Sequence, residues 1–225
     1  MQFPVFSTPV VVCVSELVVV VVINVKGKVV IFDYGNNGTV LWEHSVNANV
    51  FSSPILLPNV HGMSSNRVIV FGAEDKHLHS ISISPGKDIK TIVHKTKHSK
   101  LEGKSRGMQR TLINCIELWK VKHSERIYAT PYAFVGDINC SCQTCRPCPK
   151  TDSSNLKTVN NVKKPLLIGS VSTDGVLNII CVNSGLVISQ YKLGNNIFSS
   201  PIIVQNHVVI GNRDNFLTCF KLEMI

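Results

Sequence analysis

Short runs of branched apolar residues, broken by Gly, Asn, Asp and Ser, fill most of this chain. Val18–Ile23, Val68–Phe71, Leu166–Ile168 and Val208–Ile210 are continuously apolar, as strands buried on both faces are. Others alternate, as in Val176-Leu177-Asn178-Ile179 and Phe216-Leu217-Thr218-Cys219, the period of a strand with two unlike faces. The turns between the two kinds carry Asp75, Asp174 and Asp214, or Gly27 and Gly175. A further run follows a Gly turn at Gly38-Thr39-Val40-Leu41-Trp42 and at Gly185-Leu186-Val187-Ile188. Val and Ile dominate throughout, which is strand composition.

One pattern returns four times. Val5-Phe6-Ser7-Thr8-Pro9 recurs as Val50-Phe51-Ser52-Ser53-Pro54, Ile127-Tyr128-Ala129-Thr130-Pro131 and Ile197-Phe198-Ser199-Ser200-Pro201. The prolines lie 45, 77 and 70 residues apart. With the first spacing as the unit, the other two carry about 32 and 25 extra residues. Trp42 and Trp119 each stand twelve residues before a motif proline, which fixes Ile116–Val121 as the fourth strand of the second unit. Four short strands in about 45 residues is the arithmetic of a β-propeller blade. A β-sandwich also has evenly spaced strands, but it requires neither a repeated Pro motif nor a repeated Trp-to-Pro distance. The expected fold is all-β: an incomplete propeller of about 3.7 repeat lengths. Its units are expected at about 3–48, 49–124, 125–194 and 195–225, with insertions at 85–112 and 137–164.

Composition leaves this picture intact. With 225 residues, 44% hydrophobic and 16% charged, the chain can bury a core and is not disordered. Val10–Val25 is the one membrane-like stretch, but it is 16 residues long and holds Glu16 and Asn24. That is short of the roughly 20 residues of a spanning helix and reads as two strands meeting at Ser15-Glu16. No cation precedes it and no small-residue cleavage site follows, so a signal peptide is not expected.

The net charge of +9 raises nucleic acid or acidic membranes as partners. Its location answers this. Pro85–Leu112 is net +6 and Asp137–Lys164 net +3, so the whole excess sits in the two insertions. Neither interleaves aromatics for base stacking, and they read as solvated loops.

The order of small residue-Pro, apolar run, Gly-x-x-Asp, apolar run, Gly turn and Trp resembles the repeat of pyrroloquinoline-quinone-type (quinoprotein) propellers. Three passages resemble the C-terminal propeller of β-alanine-activating enzymes, within the adenylate-forming acyl-CoA-synthetase family. They are Arg126–Phe134, Ser172–Gly175, and Phe198–Ile202 with Ile210–Asn215. The resemblance implies a cytoplasmic, non-catalytic repeat module whose adenylating and carrier domains are absent from this stretch. It would serve as a scaffold, with a protein or an intramolecular domain as partner and no nucleic acid, membrane or cofactor. The alternative is a fragment of a quinone-dependent dehydrogenase. By resemblance that enzyme needs adjacent cysteines over the quinone and a convergent oxygen site for Ca²⁺; no two cysteines here are adjacent.

The candidate chemistry is sparse. Cys140, Cys142, Cys145 and Cys148 form a C-x-C-x₂-C-x₂-C cluster in the second insertion. Four thiolates suit tetrahedral Zn²⁺, whereas two knuckles held well apart are the usual spacing. A flexible cysteine-rich loop is the other reading. Cys13, Cys115, Cys181 and Cys219 read as small buried hydrophobes. Asp75, Asp174 and Asp214 read as turn residues bonding nearby backbone. His77 and His79 share a strand face without an evident carboxylate partner, and read as surface histidines. Trp42 and Trp119 are expected to pack between neighbouring units. Finally, the last unit supplies three strands, so a ring continuing upstream of Met1 is expected.

Overall fold

The computed structural model describes residues 2–57, 66–86, 113–136, 165–194 and 196–222. Among them are fifteen strands in four separate antiparallel sheets. The first sheet is β1 (Val10–Val14), β2 (Leu17–Ile23), β3 (Lys28–Asp33) and β4 (Thr39–Ser45), in that order. The second is β5 (Ile55–Leu57), β6 (Arg67–Gly72), β7 (His77–Pro85) and β8 (Ile113–Lys122). The third is β9 (Tyr132–Val135), β10 (Leu166–Val171), β11 (Val176–Cys181) and β12 (Val187–Lys192). The fourth has three strands, β13 (Ile202–Val204), β14 (His207–Gly211) and β15 (Leu217–Lys221). No helix among the described residues is long and apolar enough to cross a membrane.

The sheets are copies of one plan, and local sequence explains why. Each second strand hands over to the third through a residue with positive φ: Gly27 (75°), Lys76 (67°), Gly175 (81°) and Asn215 (65°). Glycine is required at the third of these. A Cβ on Gly175 would stand 1.4 Å from the Gly194 carbonyl oxygen, closer than any contact allows. The third and fourth strands slip register at one equivalent place in every four-stranded sheet, at Ile31/Phe32, Ser80/Ile81 and Ile179/Ile180. A bulge there turns the outermost strand and increases its twist. Val10–Val25 is indeed two strands, joined at Ser15 with φ 53°.

The sheets stack face to face in chain order, so that three apolar layers form the core. Val12, Val21 and Ile31 meet Ile69, Phe71 and Ile81 between the first and second sheets. Leu57, Val70 and Leu78 meet Ile168 and Ile180 between the second and third. Leu167 and Leu177 meet Ile203, Val208 and Ile210 between the third and fourth. This explains the continuous apolar runs of β6 and β10, which face a neighbouring sheet on both sides; β2 and β14, in the end sheets, alternate between buried and less buried positions.

Trp119 packs on the third sheet, with its indole N–H donating to the Val182 carbonyl at 2.9 Å and its ring covering Gly185. Trp42 is half-buried against the first layer and stacks on His44. The cysteines divide. Cys181 is buried and Cys115 half-buried, but Cys13 and Cys219 are exposed, because they point outward from the first and last sheets, which no further sheet covers among the described residues. Burial pushes the Cys115 thiol up to about 12, which removes it as a nucleophile.

Candidate functional site: the motif arc

Each recurrent motif leads into the first strand of its sheet, and those strands approach one another in the order β1, β5, β9, β13. The four motifs therefore line up along one arc. Their hydroxyls form a ladder. The Thr8 amide donates to Ser53 Oγ at 2.8 Å, the Ser53 amide to Thr130 Oγ1 at 3.1 Å, and the Thr130 amide to Ser200 Oγ at 2.9 Å. The sequence separations of these bonds are the 45, 77 and 70 residues of the repeat.

In three of the four motifs the first small residue is a serine that ties it to its own sheet; the third has Ala129 there. Ser7 Oγ donates to the Ile23 carbonyl, Ser52 Oγ accepts from the Gly72 amide, and Ser199 Oγ donates to the Gly211 carbonyl. The Ser-Pro motif thus recurs for its hydrogen bonds as well as for its small size. Thr130→Val keeps the shape and removes the acceptor of the Ser53 amide. Urea unfolding should record a loss of about 1 kcal/mol; an unchanged midpoint would mean that the ladder carries no stability.

The motif aromatics form a second row. Phe6 stacks on Phe51 at 6.0 Å between centroids, Phe51 meets Tyr128 edge-on at 5.3 Å, and Tyr128 stacks on Phe198 at 5.4 Å. Arg213 ends the row, its guanidinium carbon 4.3 Å from the Phe198 centroid. Phe6, Phe51 and Phe198 remain exposed, so the row is a surface and not a core.

Charged groups from the turns between second and third strands flank it. Glu74 is the best connected. It accepts from Asn49 Nδ2 at 2.8 Å and from the Tyr128 hydroxyl, and Arg126 stands 3.9 Å away. Burial alone would raise its pKa, but the bonds from Tyr128 and Asn49 and the Arg126 charge hold it below the usual carboxylate range. Glu74 thereby joins the lead-ins of the second and third sheets. Asp174 accepts from Ser172 Oγ at 2.6 Å and faces Lys192 at 3.9 Å; these, against the opposing effect of burial, also keep it low.

Two concavities open on this side, at corresponding places between consecutive sheets. One, about 580 Å³, is lined by Glu125, Arg126, Tyr128, Asp174, Asn196 and Phe198. The other, about 510 Å³, is lined by Lys26, Asn47, Asn49, Glu74 and Asp75. Exposed rings thus lie between fixed charges of both signs.

The histidines correct the sequence reading. His79 is buried and has a carboxylate partner after all: its Nε2 lies 3.1 Å from Asp75 Oδ2, and its ring stacks on Phe71. Asp75 also accepts from the His77 amide. A turn followed by a strand brings residue i+4 back over residue i, which spacing along the chain hides. His123, which no sequence pattern marks, is 3% exposed and bonds Asn178 Nδ2 through Nδ1 at 3.2 Å. Burial drives its pKa down to about 4. At Asp214 the turn bonds come instead from Asn212 Oδ1, which accepts from the Asp214 and Phe216 amides. Cys140, Cys142, Cys145 and Cys148 lie outside the described residues. Among the described residues no three His, Cys, Asp or Glu side chains converge as a metal set.

No protein-family model matches the chain. Over 104 residues, 46% of the chain, it is 31% identical to the human β-alanine-activating enzyme and 32% identical to the mouse one. Over 97% of its length it is 28% identical to the Drosophila melanogaster β-alanine-activating enzyme. The chain is related to these enzymes. It spans 7% of the length of the human and mouse relatives and 17% of the fly relative. Among solved structures, the computationally designed Ika4 protein has a similar fold, with TM-score 0.51, 14% identity, and coverage of 99% of this chain and 94% of that one.

Proposed function

We propose that this chain is a quinoprotein-type β-propeller module of a cytoplasmic β-alanine-activating-type enzyme, non-catalytic in itself and serving as a scaffold or protein-interaction domain. In this reading each sheet is a blade, and amino-acid activation belongs to other parts of the parent enzyme. The aromatic arc of exposed Phe6, Phe51 and Phe198 with half-buried Tyr128, closed by Arg213, carries the reading. Aromatic rings and arginine are the side chains that anchor protein interfaces. The nearby acids are engaged in structural bonds: Glu74 with Asn49 and Tyr128, Asp75 with His79, Asp174 with Ser172. A carboxylate spent on holding sheets together is poorly placed to turn over a substrate.

The test uses the remainder of the fly relative, expressed without the matching stretch. Titration calorimetry should detect binding to this chain, weakened at least tenfold by Phe198→Ala or Arg213→Ala, since anchors of this kind carry about 1.4 kcal/mol or more. The competing reading, a piece of a quinone-dependent dehydrogenase, makes a different forecast. Tight binding of pyrroloquinoline quinone, with reduction of a dye by an alcohol, would establish it and overturn the scaffold.

A further inference from the structure

We propose that the outward faces of the first and last sheets bind each other between two copies of this chain, head to tail. The inference rests on the stacking of the sheets and not on the enzyme relation. Registers make the sheets superimposable strand by strand. Ile202 pairs with Val209 as Val10 does with Val21, Val209 with Cys219 as Val21 does with Ile31, and Gly211 with Leu217 as Ile23 does with Val29. The outward face of the fourth sheet therefore has the positions that the first sheet buries against the second. Val12, Val29 and Ile31 are 0% exposed, whereas their counterparts Val204 and Leu217 are 56% and 75% exposed and Cys219 is exposed too.

The first sheet mirrors this. Val11, Val20, Phe32 and Val40 form one row across all four strands of its outward face, with Val11 59% and Val40 46% exposed. In the second sheet the counterparts of Val20 and Phe32 are Ile69 and Ile81, both buried against the first. Each molecule thus carries one face of each kind, and the pair is the one already joined three times inside it.

Polarity points to a second copy and not to two like faces meeting. The hydroxyl ladder runs in one direction, from each amide to the hydroxyl of the following motif. Its ends are the Ser200 amide, a donor, and the Thr8 hydroxyl, an acceptor. The last sheet of one copy against the first sheet of another adds a rung of the same sense. Two unlike patches on one chain make a heterologous contact, which closes into a ring when the rotation allows and continues as a polymer when it does not.

Sedimentation velocity of the 225-residue chain tests this. The expected result is concentration-dependent association into dimers or longer head-to-tail species. Val11→Glu and Leu217→Glu should each weaken it at least tenfold. Both sites are exposed, so both variants should melt as folded monomers; Phe32→Glu and Ile202→Lys serve if either does not. Mixing the two single variants should restore dimers, since the intact last sheet of one meets the intact first sheet of the other. A monomer at all concentrations would overturn the proposal and leave further blades of a longer chain as the cover. Association untouched by either variant, or not restored on mixing, would overturn it as well.

Discussion

Replacing His123 by leucine is expected to leave the protein about as stable at pH 7 and distinctly more resistant to acid. The residue closes the second sheet at the position that Val46 and Leu193 hold in the first and third, of which Val46 is buried and Leu193 half-buried. Burial lowers its pKa from 6.5 to about 4, with Asp174 opposing the shift and His77 adding to it. Between those values the unfolded chain holds a proton that the folded chain does not. Stability is therefore complete above about pH 6.5 and is lost as pH falls toward 4, by up to about 3 kcal/mol.

Leucine removes that loss. It gives up the bond to Asn178 Nδ2, worth about 1 kcal/mol. In return it spares the burial of Nε2, which has no hydrogen-bond partner among the described residues, and Asn178 keeps Gln190 through its Oδ1. Thermal melts of both proteins from pH 7.5 to 4 would test this; parallel curves would acquit His123. The variant should retain some acid sensitivity. Burial also lowers the pKa of His79, against the pull of Asp75, and the lowered Glu74 carboxyl likewise costs stability as it protonates.

Gly175→Ala should be among the most damaging single-methyl additions in the chain, and Gly38→Ala among the mildest at a comparable backbone angle. Both glycines have positive φ, 81° and 68°, so both substitutions incur about 1 kcal/mol of left-handed strain. Only at Gly175 does the new Cβ meet backbone, the Gly194 carbonyl that marks the end of the third sheet's last strand; at Gly38 nothing lies within 4 Å. Moving a backbone segment raises the expected loss at Gly175 above about 3 kcal/mol. Equal midpoints for the two variants in urea would mean that the lead-in to the fourth sheet yields freely.

What the sequence disclosed was whatever repeats at fixed spacing. The Ser/Thr-Pro motif and the Trp-to-Pro distance marked strands in all four units, including β8, expected over Ile116–Val121 and found over Ile113–Lys122 beyond a long insertion. Contacts between units were not legible. The Thr8–Ser53–Thr130–Ser200 ladder joins residues that sequence inspection aligns but does not bring together. Glu74 has partners 25 and 54 residues away, and nothing in its immediate neighbours marks it. His79 and His123 were obscured for another reason: their counterparts in other sheets are apolar or neutral, so the repeat suggests no chemistry at those places. Cys13 and Cys219 have strand-like neighbours, and only the end of the stack exposes them.

The alternation of strand direction has an electrostatic consequence. In every sheet the lead-in and the turn between second and third strands lie at one end, and the remaining turns at the opposite end. The chain departs for its first insertion after Pro85, between third and fourth strands, and for its second after Gly136, between first and second strands. Both excursions therefore leave from the end away from the aromatic arc. They carry the whole net charge of +9, while the remaining sequence is balanced. The side that carries Phe6, Phe51 and Phe198 therefore belongs to a part of the sequence with little net charge, and salt should alter association there only weakly.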